Sequence, residues 1–129
     1  MTKKNKNNPK RVVGKELKKI PLKELIKKEK EIQKEIMEWL NNNNVFHYRQ
    51  NSGVFFINGR MIRAGVTGIS DIVGVLNGGV AFYIEVKKYG GKVSENQKSF
   101  LERAKNAGAI TVVAYCLDDV KKVFNKYCI

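Results

Sequence analysis

Acidic residues are scarce in this 129-residue sequence: 12 Asp+Glu stand against 25 Lys+Arg, for a formal net charge of +13. So large an excess suits a polyanionic partner, nucleic acid first and an anionic membrane surface second. Long apolar runs are missing as well. No stretch approaches the roughly 18 consecutive apolar residues that a membrane span requires. The Lys-rich N-terminal stretch also lacks the Trp, Phe and Leu face of an interfacial helix, which argues against a membrane-surface role. The opening Met-Thr-Lys-Lys-Asn-Lys-Asn-Asn is charged with no apolar segment behind it. That pattern is not a secretory signal, so an intracellular, cytoplasmic protein is the expectation. Cysteine is limited to Cys116 and Cys128, with no His at ligand spacing. Two reduced thiols are the simpler account, and a disulfide or a metal site the alternative. His47 is the single histidine, and its place on an early strand suits a surface or core imidazole better than a general base.

What is present fits one domain. Hydrophobic residues make up 43% of the chain, too many for a disordered one, and a chain of this length buries roughly 60–70% of its unfolded surface. Residues 1–28 hold eleven Lys/Arg and two acids, a net of +9, which leaves +4 for the remainder. Residues 1–20 are expected to be a flexible basic arm adding phosphate contacts of no sequence preference, or a solubilising tail, and residues 21–129 the folded domain. Pro21 suits the first turn of a helix, and apolar positions 22, 25, 26, 32, 36 and 40 continue a helical period to the Asn41–Asn44 run. Strands are predicted over 45–50, 54–57 and 60–63, the last two joined by Asn58-Gly59, a strong hairpin signal. A loop spaced by Gly65 and Gly68 leads to strand 71–76, and Gly78-Gly79 turns the chain into strand 80–88. Ser94-Glu95-Asn96-Gln97 is a capping box opening a helix to Ala107, with Gly108 as its stop. Ile110–Tyr115 is a β-branched strand, and Asp118 is a candidate cap for a last helix to about Lys126. The order α-β-β-β-β-β-α-β-α predicts an α/β fold with one mixed sheet carrying helices on its faces.

Four polar residues interrupt this pattern. On strand 80–88, Phe82, Ile84 and Val86 share one face, while Ala81, Tyr83, Glu85 and Lys87 share the other. Glu85 and Lys87 are thus neighbours on one side of an interior strand, either as an ion pair or as a metal-binding carboxylate with a Lys to meet the same substrate. Asp71 begins the preceding strand, and a tight turn makes the two strands antiparallel, so Asp71 lies near Glu85. Two converging carboxylates repel unless a cation sits between them, and one or two carboxylates with waters and substrate phosphate are how Mg²⁺ is held. On the first helix, advancing about 100° per residue puts Leu22, Leu25, Ile26, Ile32, Gln33, Ile36 and Leu40 within about 60° of Glu29, whereas Glu31 and Glu38 point away, at about 200° and 180°. Glu29 therefore sits in the middle of the apolar face and needs a cation, a donor or a proton, or else it lies at a rim or the helix breaks near Lys27. Gln97 shares a face with Phe100, Leu101 and Ala104, directed at the sheet, although its capping role explains it without function.

Asp71, followed fourteen residues later by Glu85-Val86-Lys87, spans a β-hairpin at the spacing of an (S/P)D…ExK motif. The chain resembles the PD-(D/E)XK nuclease superfamily and, more closely, its virus-type replication–repair nuclease family, VRR-NUC. The resemblance covers about residues 28–116 and rests on Glu29 with Ile32-Gln33, Arg49…Asn51-Ser52-Gly53, Gly68-Ile69-Ser70-Asp71-Ile72, Ile84-Glu85-Val86-Lys87, and Ser94…Gln97 with Phe100-Leu101. Ser70 stands where the superfamily's name places Pro, which carries none of the chemistry.

The resemblance implies a restriction-endonuclease-like mixed β-sheet flanked by α-helices, and phosphodiester hydrolysis dependent on Mg²⁺ or Mn²⁺. Asp71, Glu85 and the Val86 carbonyl would hold the metal. Glu29 would bind it through water or support a second ion, Lys87 would orient the water or neutralise phosphate charge, and Gln97 would position Lys87 or the water. It further implies a homodimer acting on branched DNA, similar to Holliday-junction resolvases, in phage-type replication, recombination or repair. Arg60, Arg63, Lys88 and Lys92 are candidate phosphate contacts beside the site, though each is equally an ordinary surface charge. A non-catalytic DNA-binding protein with the same fold is the rival. It predicts steep salt dependence and no metal dependence, and the joint presence of Asp71, Glu85 and Lys87 speaks against it.

Overall fold

A computed structural model describes residues 26–50 and 53–127. The N-terminal arm and positions 21, 22 and 25 of the expected first helix lie outside the described residues. Helix α1 (Glu29–Asn42) is followed by strands β1 (Phe46–Arg49), β2 (Gly53–Ile57), β3 (Arg60–Ala64), β4 (Ile72–Val75) and β5 (Ala81–Val86). Helix α2 (Glu95–Asn106), strand β6 (Ile110–Ala114), helix α3 (Leu117–Phe124) and a 3-10 turn (Asn125–Tyr127) complete the order, which is the α/β succession expected from the patterning.

The main sheet has four strands in the order β1-β4-β5-β6. The β1–β4 and β4–β5 pairs are antiparallel and β5–β6 is parallel, so the sheet is mixed. Phe82, Ile84 and Val86 are fully buried on one face, packed with Ile32, Ile36 and Leu40 of α1 and Val120 and Phe124 of α3. Phe124 bridges the layers, its ring 5.1 Å from Phe82 and 5.9 Å from Trp39. On the opposite face α2 packs against β5 and β6, and Phe100 meets Tyr83 edge-on at 5.1 Å. Gly74 is a glycine inside a strand for a packing reason: a Cβ there would collide with the Phe82 ring and the Phe46 carbonyl.

Three elements differ from the sequence expectation. The helix begins at Glu29 and not near Leu22, since residues 26–28 are already non-helical. Its first turn carries Glu29 and Glu31, which complement the positive end of the helix, whereas Lys27 and Lys28 inside that turn would oppose it. Strands β2 and β3 form a separate two-stranded sheet and do not join the main one; a hairpin needs only its own turn to pair, so local signals do not fix where it docks. The last helix starts after Cys116, and it is Asp119, not Asp118, whose Oδ2 accepts the Tyr115 N–H at 2.9 Å. The α-helix ends at Phe124, and the 3-10 turn takes over to Tyr127.

Candidate active site

The β4–β5 register is what brings the two motif carboxylates together. Ile72 pairs with Ile84, and one further step places Asp71 opposite Glu85, on the same face of the sheet. Asp71 leaves the ladder but still closes it: its Oδ2 accepts the Val86 N–H at 2.8 Å. Glu85 is only 2% exposed. Its Oε1 accepts a hydrogen bond from Gln97 Nε2 at 2.9 Å and lies 3.8 Å from Lys87 Nζ. Its Oε2 is buried without a hydrogen-bond partner. Burial pushes the Glu85 carboxyl up to about 8, helped by the charge of Asp71 and opposed by Lys87. Burial first, and the neighbouring acid second, thus favour the protonated form of Glu85 in the absence of a cation.

Gln97 serves two partners. Its Oε1 accepts the Ser94 N–H at 2.9 Å while its backbone N–H donates to Ser94 Oγ at 3.2 Å, completing the capping box of α2. The amide orientation fixed by the cap leaves Nε2 to donate to Glu85. Capping and function are therefore not alternatives here, and the side chain reaches Glu85 where Lys87 or a water was expected. Gly68 adds a second link between the Asp71 loop and α2. It has φ +76°, and a Cβ there would run into the Asn96 carbonyl and lie 3.0 Å from the Gln97 nitrogen. The sequence marked Gly68 as a loop glycine and as part of the motif; its bare backbone contact with a helix start was not visible. Ser70, at the Pro position, is fully buried, and its Oγ has no hydrogen-bond partner.

Glu29 approaches from the other side. At the first position of α1 it is half-buried, its Oε1 faces the Lys88 N–H at 3.5 Å, and its charge contributes to the upward push on Glu85. Glu31 is exposed, so the facing argument selects the acid nearer the cluster, although it does so from the helix end and not from mid-face. Lys87 is 15% exposed at its side chain, so its ammonium meets both Glu85 and the solvent side of the site. Arg60, Lys88 and Lys92 are exposed, as phosphate contacts require. Arg63 lies on β3, paired with Val54. His47 is spoken for elsewhere, with Nδ1 hydrogen-bonded to the Val45 carbonyl at 2.8 Å.

Among the described residues, no group of three or more His, Cys, Asp or Glu side chains is gathered to hold a cation unaided. Two carboxylates and a carbonyl fit a different type of site, one that a hard divalent cation completes with water and substrate phosphate. The unpartnered, buried Glu85 Oε2 beside Asp71 fits that donor set, since an oxygen of this kind is costly unless a proton or a cation meets it. A mixed sheet flanked by helices, with an Asp…Glu-x-Lys cluster at the ends of two antiparallel strands, has a nuclease-like fold. Residues 13–117 match the VRR-NUC domain, and the chain belongs to that nuclease family, whose substrate is DNA and whose members are generally dependent on divalent metal. The match begins at residue 13, earlier than the motif-bearing region from about residue 28, and takes in part of the basic N-terminal segment. No curated protein and no solved structure matches the chain significantly.

Proposed function

We propose that the protein is an endodeoxyribonuclease dependent on Mg²⁺ or Mn²⁺, structure-selective for branched DNA in the manner of a Holliday-junction resolvase, acting in phage-type replication, recombination or repair. The observation that carries this reading is the approach of Asp71 to Glu85 opposite it, with Lys87 3.8 Å from the second carboxylate. Asp71 and Glu85, with the Val86 carbonyl, hold the cation. When bound, such an ion polarises a phosphate and lowers the pKa of a coordinated water. Gln97 holds the Glu85 carboxylate in orientation by its 2.9 Å hydrogen bond. Lys87 presents a positive charge where negative charge builds on the phosphate, or orients the attacking water. Glu29 supports the cation through water or helps to bind a second one. Arg60, Arg63, Lys88 and Lys92 supply backbone contacts that position the duplex arms. A homodimer would set two such sites for paired cuts. An intracellular setting agrees with the free, exposed Cys116 thiol.

The test is a panel of four-way, flap and linear duplex DNAs incubated with Mg²⁺, Mn²⁺ or EDTA. Cleavage is expected with either metal, strongest on branched DNA and absent in EDTA. Asp71→Asn, Glu85→Gln and Lys87→Ala are each expected to lower the rate by about a hundredfold or more. Full cleavage in EDTA or in Asp71→Asn would overturn the catalytic reading, and DNA binding without any cleavage would favour the non-catalytic one. Equal cutting of all three DNAs would remove branch selectivity.

A further inference from the structure

The face of the main sheet that carries Asp71 and Glu85 is covered over only part of its width. By register, Tyr48, Val73 and Tyr83 lie in one row across that face, and Phe46, Val75 and Ala81 in the next. Tyr83 is capped by Phe100 of α2. At the β1 edge, Phe46, Tyr48 and Val75 are 66%, 48% and 39% exposed, and the two rings lie 6.3 Å apart, nearly edge-to-face. Two exposed aromatics on one strand face cost solvation unless something stacks on them.

Their position says what does. The Gln50 N–H donates to the Asp71 carbonyl at 2.8 Å, so β1 runs directly into the carboxylate cluster. Tyr48 is one two-residue step from Gln50, about 6.6 Å, and Phe46 one step further. Arg49, exposed at the end of β1, alternates to the other face of the strand, beside Lys30, Lys34 and Glu38 of α1, so the platform itself is aromatic and uncharged. An aromatic surface continuous with the carboxylate cluster of a nuclease domain, in a chain of net charge +13, matches how single strands are held, with bases on rings.

We infer that Phe46 and Tyr48 form a stacking platform for unpaired bases next to the scissile phosphate. The inference rests on Asp71 and Glu85 being the cutting centre, and it narrows the substrate to DNA that has unpaired nucleotides beside the cut. The platform binds bases of any identity, because every base has a stacking face.

The experiment is fluorescence anisotropy of the full chain in EDTA, where nothing is cut, with labelled oligothymidylate and a paired duplex of equal length. Phe46→Leu and Tyr48→Leu keep the apolar surface and remove the ring. Each is expected to weaken oligothymidylate binding about tenfold and to change duplex binding by less than about twofold, whereas Tyr48→Phe binds as the wild type. Unchanged oligothymidylate affinity in the double Leu variant would overturn the inference, as would equal losses on both DNAs. Sedimentation velocity covers the remaining occupant: if the double Leu variant turns a dimer into a monomer, the face belongs to a second copy and the platform is wrong. Cleavage of branched DNA by the wild type in Mg²⁺ is scored separately. A platform that binds in a protein that never cuts would sink the nuclease assignment and leave the stacking result standing.

Discussion

Glu85 shows how much one side chain can be made to hold. It is buried, faces Asp71 and has one oxygen with no hydrogen-bond partner, and it is kept protonated up to about pH 8 chiefly by burial and by the neighbouring acid. A carboxyl whose folded pKa is raised contributes stability that is full below its ordinary range, near 4.5, and is lost as pH rises through about 8. The metal-free protein is therefore expected to melt at progressively lower temperature from about pH 5 to about pH 9. Glu85→Gln, which keeps the shape and the Gln97 bond but cannot ionise, should flatten that slope and melt higher than the wild type at the alkaline end, while losing cleavage. Thermal scans in EDTA across that range check it; a variant whose melting falls as steeply as the wild type would place the pH dependence elsewhere. Added divalent cation should reverse the trend, because a bound cation favours the ionised carboxylate. The residues of this cluster were legible in the sequence because each violates an apolar pattern: Glu85 on an interior strand, Asp71 at a strand entry, Glu29 beside Ile32 and Ile36. What Gln97 touches was not legible. A capping amide has two ends, and which group the free end meets depends on where a neighbouring strand places its side chains.

At the scale of elements, the site is assembled from a strand end, a loop and a helix start, and the loop–helix joint is Gly68. Its φ of +76° and the absence of a Cβ let the loop before Asp71 lie directly on the Asn96–Gln97 backbone. Asp71 then meets the Glu85 that Gln97 orients. Gly68→Ala adds both left-handed strain and a clash with backbone that cannot rotate away. It should cost about 1–3 kcal/mol of stability and reduce cleavage at temperatures where the protein is still folded, because it separates the loop from the helix. Chemical denaturation and cleavage assays on the same sample decide this; intact cleavage with the stability loss would show that the joint supports the fold alone. Alternation of side chains and turn residues located the nine helices and strands of the described residues, because those signals are local. The docking of β2–β3 apart from the main sheet and the late start of α1 are settled by long-range packing and by charge at a helix end. Neither is written in the period of the apolar residues.

For the molecule as a whole, the charge is uneven along the chain. The first 28 residues carry +9 of the total +13, and the VRR-NUC match starts at residue 13. Residues 1–12 lie ahead of it and bear five cations, Lys3, Lys4, Lys6, Lys10 and Arg11, with no acid. Phosphate contacts made by such a segment release counterions in proportion to their number and carry no information about DNA structure. Residues 13–129 alone are thus expected to bind duplex DNA more weakly at low salt. The slope of log affinity against log salt should be shallower by up to about 4.5, from a contribution of about 0.9 per phosphate neutralised. The proposed preference for branched over linear DNA should be retained if it belongs to the folded domain. A truncated protein with an unchanged slope would mean that these cations do not touch phosphate. One that still cuts but no longer distinguishes four-way from linear DNA would move selectivity out of the folded domain and into the basic segment. The two quantities separate because salt screens the contacts of exposed charges and leaves contacts of other kinds largely intact.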